Sequence, residues 1–300
     1  RKAEWILMKA LIIAEHAAAA AELVAGARTM ADEVVVISFG GAYECGADKV
    51  LDITVPEGLT VDSAVETVNA AFDAENPEVV LVEACRHMKV VAGSLAFHAD
   101  TAVITDVTAF EAEGAKSMYF GGIAERVQKA AGNVAIYTVG AGVFDGAEGA
   151  NGSVAEQEWV APARPVKVVS SQVIEKSGVN LFKADVVVAA GRGFAEESQL
   201  SMANDLCDKL GAGLACSRPL TEGVNWLPTE RYVGVSGLML TPKVYIAAGI
   251  SGQMQHMVGC NRSGAIFAIN KDKNAPIFKQ CDFGLVGDIK DVLPAITAAL

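Results

Sequence analysis

The chain has 300 residues, a formal net charge of −12 and a hydrophobic content of 52%. This length and apolar content suffice for a large buried core, and the length is more natural for two domains than for one. The acidic balance, without a stripe of lysine or arginine, argues against nucleic acid and against binding to an anionic membrane surface.

Apolar runs of strand length alternate with helical patterns from residue 8 onward, and this alternation predicts an α/β unit. Met8 looks like a natural start, so residues 1–7 are interpreted as an upstream extension or an artificial remnant. The predicted strands are ALIIA (10–14), EVVVISFG (33–40), KVLDITV (49–55) and PEVVLVEA (77–84). The predicted helices are an alanine-rich stretch to Met30, 62–73 with Asp62 as N-cap, and 87–97. The runs at 101–110, 117–127 and 134–145 are predicted to complete this alternation of strands and helices.

The segment 146–165 is polar and glycine-rich, and it loses the apolar periodicity of its surroundings. It predicts an exposed connection. The following run KVVSSQVIE (167–175) predicts one more strand of the N-terminal domain. We place the domain boundary near Lys183, which gives an N-terminal domain of residues 1–183 and a C-terminal domain of residues 184–300.

The histidines and cysteines of the first domain give no pattern of a metal or catalytic site. His16 is interpreted as a structural or interface residue, while His87 and His98 have no carboxylate or cysteine at ligand spacing. The six cysteines of the chain include no C-x-x-C pair, which disfavours zinc and iron–sulfur sites and predicts reduced thiols. Without a signal peptide or an apolar run of membrane-spanning length, we expect a cytoplasmic protein with no membrane insertion.

The second domain opens with the near-continuous apolar strand ADVVVAA, which ends in Gly191-Arg192-Gly193. Two glycines around an arginine at a strand end suit a phosphate, because the backbone can approach closely and the guanidinium is a bidentate donor. A helix is predicted from about Glu196 to Lys209 with Gly211 as its C-cap. The next strand then leads to Ser217-Arg218-Pro219.

Three further strand endings follow in the last fifty residues. KVYIAA (243–248) stops at Gly249 and passes through Ser251 and Gly252 into a helix whose first turn holds Gln255 and His256. AIFAI ends at Asn270-Lys271-Asp272, and the last strand ends at Gly287-Asp288. In an open parallel sheet such endings converge on one crevice, where arginines and helix N-termini suit a pyrophosphate and Asn or carboxylates suit ribose hydroxyls. Spacing alone leaves ordinary αβ loops as an alternative.

The motifs GRG, CSRP, GISGQMQH, AINKDKNAPIF and DFGLVGD follow one another in this order. Together they closely resemble the C-terminal domain of the electron-transfer flavoprotein α subunit, over residues 184–300 in register. AEH (14–16) and ITD (104–106) give a weaker resemblance upstream. The resemblance implies an α/β fold in two domains. The first is an adenine-nucleotide-hydrolase-like α/β domain that forms the β-subunit interface. The second is a doubly wound parallel-sheet domain that binds FAD.

The resemblance also implies roles for individual residues. The cofactor-binding set is Arg192, Gly193, Ser217, Arg218, Val235, Ser236, Gly249, Ser251, Gly252, Gln253, Gln255, His256, Asn270 and Asp288. Within it, Arg218, Ser236 and His256 tune the redox chemistry of the flavin, and none of these residues is a catalytic nucleophile. No metal is implied.

Two departures from the family pattern bear on function. The usual GQTG turn is GVSG, so that Val235 replaces a glutamine, and the turn after Ser217 is one residue longer. Similar variants occur among anaerobic and electron-bifurcating α subunits. They put in doubt the hydrogen bonding and the potential of the flavin, but not the fold.

The resemblance predicts an electron carrier rather than a substrate-converting enzyme. It would pair with an electron-transfer flavoprotein β subunit and take electrons from a flavin dehydrogenase such as acyl-CoA dehydrogenase. The alternative is the α subunit of an electron-bifurcating flavoprotein, which passes electrons from NADH to ferredoxin and to enoyl-CoA or another acceptor. A nucleotide-dependent transhydrogenase or hydrolase, and a structural partner without flavin, are further alternatives.

Overall fold

The structure of the protein is a computed structural model that describes residues 8–172 and 179–300. Residues 1–7, interpreted above as an extension or a remnant, lie outside the described residues. Of the described residues, 8–119 and 125–172 form one compact unit. Residues 120–124 and 179–300 form a second. The domain boundary near Lys183 stays a prediction.

The first unit is built on a sheet of nine strands in the order β7-β6-β5-β8-β4-β1-β2-β3-β9. The strands are β1 (Lys9–Ile13), β2 (Glu33–Phe39), β3 (Lys49–Ile53), β4 (Val79–Glu83), β5 (Val103–Glu111), β6 (Gly114–Tyr119), β7 (Ala124–Gln128), β8 (Ala135–Val139) and β9 (Ser153–Glu156). The helices are α1 (Ala17–Ala27), α2 (Val65–Glu75) and α3 (Arg86–His98).

The central strand β1 explains why the apolar runs of this unit are continuous rather than alternating. It pairs in parallel with both β2 and β4. Ala10 and Ile12 pack into one apolar cluster and Leu11 and Ile13 into another, so both faces of the strand are buried. Successive side chains of a strand point to opposite faces, and a sheet covered on both sides therefore needs apolar residues at every position.

The predicted alternation of strands and helices fails over residues 101–128. β5 pairs with β6 in an antiparallel hairpin, a single 3-10 turn at Phe120–Gly122 follows, and β7 continues the chain. The β-branched and aromatic residues of β5 favour a strand, and Gly114 takes a positive φ of 144° that most side chains would not tolerate. A hairpin needs no crossover helix, which is why none occurs here.

Three other local predictions need correction. Asp62 lies inside a 3-10 turn (Val61–Ala64), where it accepts a hydrogen bond from the Thr60 hydroxyl, so it does not cap α2. The connection 146–165 contains β9, an exposed edge strand that pairs in parallel with β3. Of the strand predicted at 167–175, the described part forms only an isolated bridge between Lys167 and Leu59, and 173–175 lie outside the described residues.

The second unit is a doubly wound parallel sheet, as predicted. Its strands are β10 (Val186–Ala190), β11 (Gly213–Cys216), β12 (Val244–Ala248), β13 (Ala265–Asn270) and β14 (Phe283–Val286), in the order β11-β10-β12-β13-β14. Every pairing is parallel. The helices are α4 (Leu200–Leu210), α5 (Pro219–Glu222), α6 (Met254–Met257) and α7 (Ile289–Ala299). Gly211 ends α4 in the left-handed conformation predicted for it.

The strand order of the second sheet indicates where along its carboxyl edge a ligand would bind. From β10 the chain goes first to the neighbouring β11 on one side and then to β12 on the other side. In open α/β sheets, the reversal between such strands opens a crevice at their carboxyl ends. Within the described residues, no helix combines the length and apolarity that crossing a bilayer requires.

Candidate cofactor site

A crevice of about 820 Å³ opens at the carboxyl ends of the second sheet. Its lining includes thirteen of the fourteen cofactor-binding residues predicted above: Arg192, Gly193, Ser217, Arg218, Val235, Ser236, Gly249, Ser251, Gln253, Gln255, His256, Asn270 and Asp288. The five strand endings expected to converge do so in the structure. Parallel strands carry all their carboxyl ends to one edge, which is why distant sequence segments meet here.

Glycines bring the backbones of β10 and β12 together at the floor of this crevice. The Gly193 N–H donates a hydrogen bond of 2.9 Å to the Gly249 carbonyl. A Cβ on Gly193 would lie 2.6 Å from the Gly249 Cα, and a Cβ on Gly191 would lie 2.4 Å from the Gly249 oxygen. Gly249 also has a φ of +64°. These glycines are therefore required by backbone packing as well as by any close approach of a ligand.

Gly252 differs from the other predicted glycines. It does not line the crevice, and its Cα faces the backbone of Ile277, where a Cβ would lie 2.4 Å from the Ile277 Cα. Its φ of +83° adds a second reason for glycine. The structure thus explains Gly252 by chain packing, and its contact with a cofactor stays a prediction.

Three cations and two carboxylates line the crevice. Arg218 Nε donates to Glu222 Oε2 at 2.6 Å, and 59% of the Arg218 side chain is exposed. Arg192 and Lys271 form no ion pair with the part of the chain that the structure describes. Cations without a carboxylate partner remain available to an anionic ligand, so Arg192 and Lys271 are the better-placed phosphate donors.

His256 lies beneath the crevice and is only 8% exposed. Its Nε2 is 2.9 Å from the hydroxyl of the fully buried Tyr245. Burial lowers the pKa of His256 to about 4, and the nearby Val233 backbone offsets part of this effect. No group in residues 8–172 or 179–300 meets hydrogen-bond geometry with its buried Nδ1. The neutral imidazole thus has Nε2 held by Tyr245, while Nδ1 lies near the Val233 backbone without a partner of full hydrogen-bond geometry among the described residues.

The segment 232–237 contains Ser236, the third predicted tuning residue. The Ser236 hydroxyl lies 3.1 Å from the Tyr232 hydroxyl, and both line the crevice. The backbone N–H of Val235 donates to the Gln255 carbonyl at 2.8 Å, which joins this segment to the start of α6. Val235 itself is half-exposed. An apolar side chain stands where the family pattern has a glutamine.

Asn270 and Asp288, two of the predicted cofactor-binding residues, already have hydrogen bonds of their own. Asn270 Nδ2 donates to the Ile250 carbonyl at 2.9 Å, and its Oδ1 accepts from the Asp272 N–H. Asp288 caps α7 by accepting from the Lys290 N–H at 3.0 Å. Each has capacity left for a ligand, but both first fix the strand endings that shape the crevice.

Sequence reasoning missed seven lining residues: Pro219, Glu222, Gly223, Tyr232, Ile250, Lys271 and Ile289. Lys271 directly follows the strand ending at Asn270, and Glu222 stands four residues after Arg218 at ion-pair spacing. Those two could have been found from spacing. Nothing in the sequence around Tyr232 indicates that its hydroxyl reaches the crevice.

The histidines of the first unit have carboxylate partners in space, although none of these partners stands at ligand spacing in the sequence. His87 Nδ1 lies 3.0 Å from both carboxylate oxygens of Glu15, and His98 Nε2 lies 2.9 Å from Asp73 Oδ1. His16 Nδ1 lies 2.7 Å from Glu83 Oε1. All three partners are 25 or more residues away in sequence. No spacing rule could identify them.

Family models match most of the chain. The description "Electron transfer flavoprotein domain" matches residues 10–164, and "Electron transfer flavoprotein FAD-binding domain" matches residues 180–261. Protein FixB of Escherichia coli O127:H6 is 38% identical over 293 residues, which cover 93% of this chain and 94% of that protein. Protein FixB of Salmonella paratyphi A is 39% identical over 296 residues, with the same coverage of both chains.

Proposed function

This chain belongs to the electron-transfer flavoprotein α-subunit family, and on that premise we propose that it carries electrons between a flavin dehydrogenase and an acceptor. An acyl-CoA dehydrogenase is the kind of donor we propose. FAD is the cofactor, bound by the second unit. Family membership implies a heterodimer with a β subunit. The cytoplasmic location expected from the sequence stays a prediction.

The crevice fits FAD in size and chemistry. Its volume of about 820 Å³ lies within the range of sites that enclose ligands of this size. The glycine-lined floor allows a pyrophosphate to approach backbone N–H groups, and Arg192 and Lys271 supply positive charge in a strongly acidic chain. The buried Nδ1 of His256 has no partner of hydrogen-bond geometry among the described residues, and a bound ligand can supply that hydrogen bond.

The bound FAD supplies the one- and two-electron chemistry, and the protein supplies binding and electrostatics. Arg192 and Lys271 would hold the phosphates, while Asn270 and Asp288 would bind the adenosine end. The Tyr245 hydroxyl holds Nε2 of the His256 ring, which leaves Nδ1 as the nitrogen that would donate to a flavin oxygen. Ser236 and Arg218 would complete the polar surroundings of the ring system.

The observation that carries this proposal is the convergence of the five strand endings on one crevice whose described lining residues form no Ser/His/Asp or Cys/His set. The lining contains one histidine, which is neutral and hydrogen-bonded to Tyr245, and no cysteine. A hydrolase or transhydrogenase on this fold would need an acid, base or nucleophile at the crevice. The lining residues favour a carrier over both alternatives.

We predict that the chain copurifies with its β subunit and binds one non-covalent FAD in residues 184–300. Denaturation should release yellow FAD rather than FMN, because the crevice has donors for a pyrophosphate and an adenosine. The complex should accept electrons from an acyl-CoA dehydrogenase and its substrate. Covalent flavin, FMN or a colourless holoprotein would contradict this proposal.

The bifurcating alternative differs from the simple carrier in that NADH reduces the complex. Val235 and the longer turn after Ser217 are the features that keep it open. A second FAD per heterodimer and rapid reduction of the complex by NADH would favour it. A single FAD and no reaction with NADH would favour the simple carrier.

The ion pair between Arg218 and Glu222 leads to a prediction about the flavin potential. Glu222 offsets the guanidinium charge at the crevice, so Glu222→Gln should raise the potential for adding the first electron, and Arg218→Ala should lower it. Each shift should be on the order of tens of millivolts, since 59 mV corresponds to a tenfold change for one electron. The exposure of both side chains limits the effect.

Spectroelectrochemistry of the reconstituted heterodimer measures both shifts. Lys209→Ala on α4 removes one positive charge away from the crevice lining and serves as the charge control. If Arg218→Ala lowers FAD affinity while the retained flavin keeps its potential, Arg218 is a phosphate anchor rather than the tuning charge.

A further inference from the structure

A second group of chemically reactive side chains lies in the first unit, where β1 and β4 end. Glu15 and His16 follow β1, and Cys85 follows β4. One potential ligand atom from each of these three residues lies within 4.8 Å of the other two. Glu15 Oε2 is 3.3 Å from Cys85 Sγ. A carboxylate oxygen, an imidazole nitrogen and a sulfur are thus close enough together to hold one ion.

Two further side chains surround this cluster and orient it. Glu83 Oε1 lies 2.7 Å from His16 Nδ1, and its Oε2 accepts hydrogen bonds from the backbone N–H groups of Glu15 and His16. A carboxylate on Nδ1 keeps the proton there and leaves the Nε2 lone pair available. His87 Nδ1 contacts both oxygens of Glu15 at 3.0 Å. Such outer contacts are typical of the residues that orient metal ligands.

The position of the cluster is where this kind of fold binds ligands. β1 pairs with β2 on one side and with β4 on the other, and the chain changes direction along the sheet between these two neighbours. The carboxyl ends of β1 and β4 therefore mark the topological switch point of the first sheet. Two carboxylates, Glu15 and Glu83, lie there, and they repel a phosphate. Glu15, His16, Cys85 and His87 are half-buried or exposed, so an ion can reach them from solvent.

We propose that Glu15, His16 and Cys85 bind one divalent transition-metal ion, for which Zn²⁺ is the best match. The mixed sulfur, nitrogen and oxygen donors suit Zn²⁺ and Co²⁺ rather than Mg²⁺ or Ca²⁺, which prefer oxygen alone. Three protein ligands leave the fourth tetrahedral position to water. Glu83 and His87 are positioning residues. The bound ion would join the ends of β1 and β4.

The test uses the full heterodimer with its FAD, stripped of metal by a chelator and titrated with Co²⁺. The expected result is one Co²⁺ per α chain, with tetrahedral absorption at wavelengths longer than those absorbed by oxidised flavin. A thiolate-to-metal band in the near ultraviolet should appear in the difference spectrum against the metal-free heterodimer. Zn²⁺ should displace the Co²⁺. Cys85→Ser should abolish the thiolate band, and His16→Gln should weaken binding at least tenfold. Glu83→Gln should weaken it about 10–100-fold, as for other outer-shell partners.

Matched controls distinguish this site from surface thiols and imidazoles. Cys281→Ser removes another partly exposed cysteine, and His98→Gln removes another histidine paired with a carboxylate. Both should bind Co²⁺ like the wild type. Retained FAD and an unchanged melting temperature establish that each variant is folded. The proposal is overturned if the wild type shows no thiolate band, or if Cys85→Ser keeps it.

Discussion

Replacing Gly249 with alanine is expected to lower FAD affinity at least tenfold and to destabilise the second unit. The new Cβ would lie 2.7 Å from the Gly193 Cα and 3.0 Å from its nitrogen, so the two backbones must separate. Their separation breaks the Gly193 to Gly249 hydrogen bond and widens the phosphate end of the crevice. If the widened crevice costs the FAD pyrophosphate one hydrogen bond to a backbone N–H, worth about 1.5–3 kcal/mol for a charged acceptor, the affinity falls at least tenfold.

The control for this variant is Gly211→Ala. Gly211 has a φ of +60°, close to the +64° of Gly249, but a Cβ there has nothing within 4 Å. Both variants therefore carry the same left-handed strain of about 1–2 kcal/mol, and only Gly249→Ala adds a backbone collision. FAD affinity from fluorescence titration should fall for Gly249→Ala alone. Equal affinities in the two variants would mean that the close approach of β10 and β12 does not shape the site.

The flavin-free protein should lose roughly 3 kcal/mol of stability between pH 6.5 and pH 4 because of His256 alone. Burial holds the pKa of His256 at about 4 in the folded state, whereas an unfolded histidine titrates near 6.5. The unfolded chain therefore binds a proton first as the pH falls. This contribution to stability is fully present above pH 6.5 and is lost progressively toward pH 4.

Denaturant unfolding followed by fluorescence between pH 7.5 and pH 4.5 measures this loss. His256→Gln should have a lower stability at pH 7.5 but a shallower decline in acid, since it removes the titrating group. His98→Gln, on the surface of the first unit, should decline as steeply as the wild type. An unchanged slope in His256→Gln would show that His256 is not the group that titrates. Bound FAD should change the slope if it partners Nδ1.

Local sequence patterns predicted the strands of the second unit and their endings, and the resemblance to the family supplied the individual cofactor-binding residues. Strand endings such as Gly191-Arg192-Gly193 and Ser217-Arg218 carry their own signals, because glycine and short polar residues interrupt continuous apolar runs. Parallel pairing then brings every such ending to one edge. Thirteen of the fourteen predicted residues line the crevice for this reason. Their individual contacts with FAD stay predictions.

The same local reasoning failed where long-range pairing or packing decides. The residues at 101–110 favour a strand but do not determine whether it pairs in parallel or antiparallel. Only the pairing with 114–119 makes this strand part of a hairpin rather than of a β-α-β unit. β9 has no buried face and therefore no apolar alternation to reveal it. The sequence predicts Asp62 as the N-cap of α2, yet Asp62 lies in a 3-10 turn that precedes this helix.

The sequence by itself determined the fold class and the set of strand endings that form the crevice, because these depend on periodicity and on glycine positions along the chain. Its motifs gave the resemblance to the family. Only the tertiary structure decided which polar side chains meet. Tyr245 with His256, Glu15 with His87 and Cys85, and Glu83 with His16 are brought together by strand pairing and helix packing. Except for Tyr245 and His256, these partners are about 70 residues apart, beyond any local pattern.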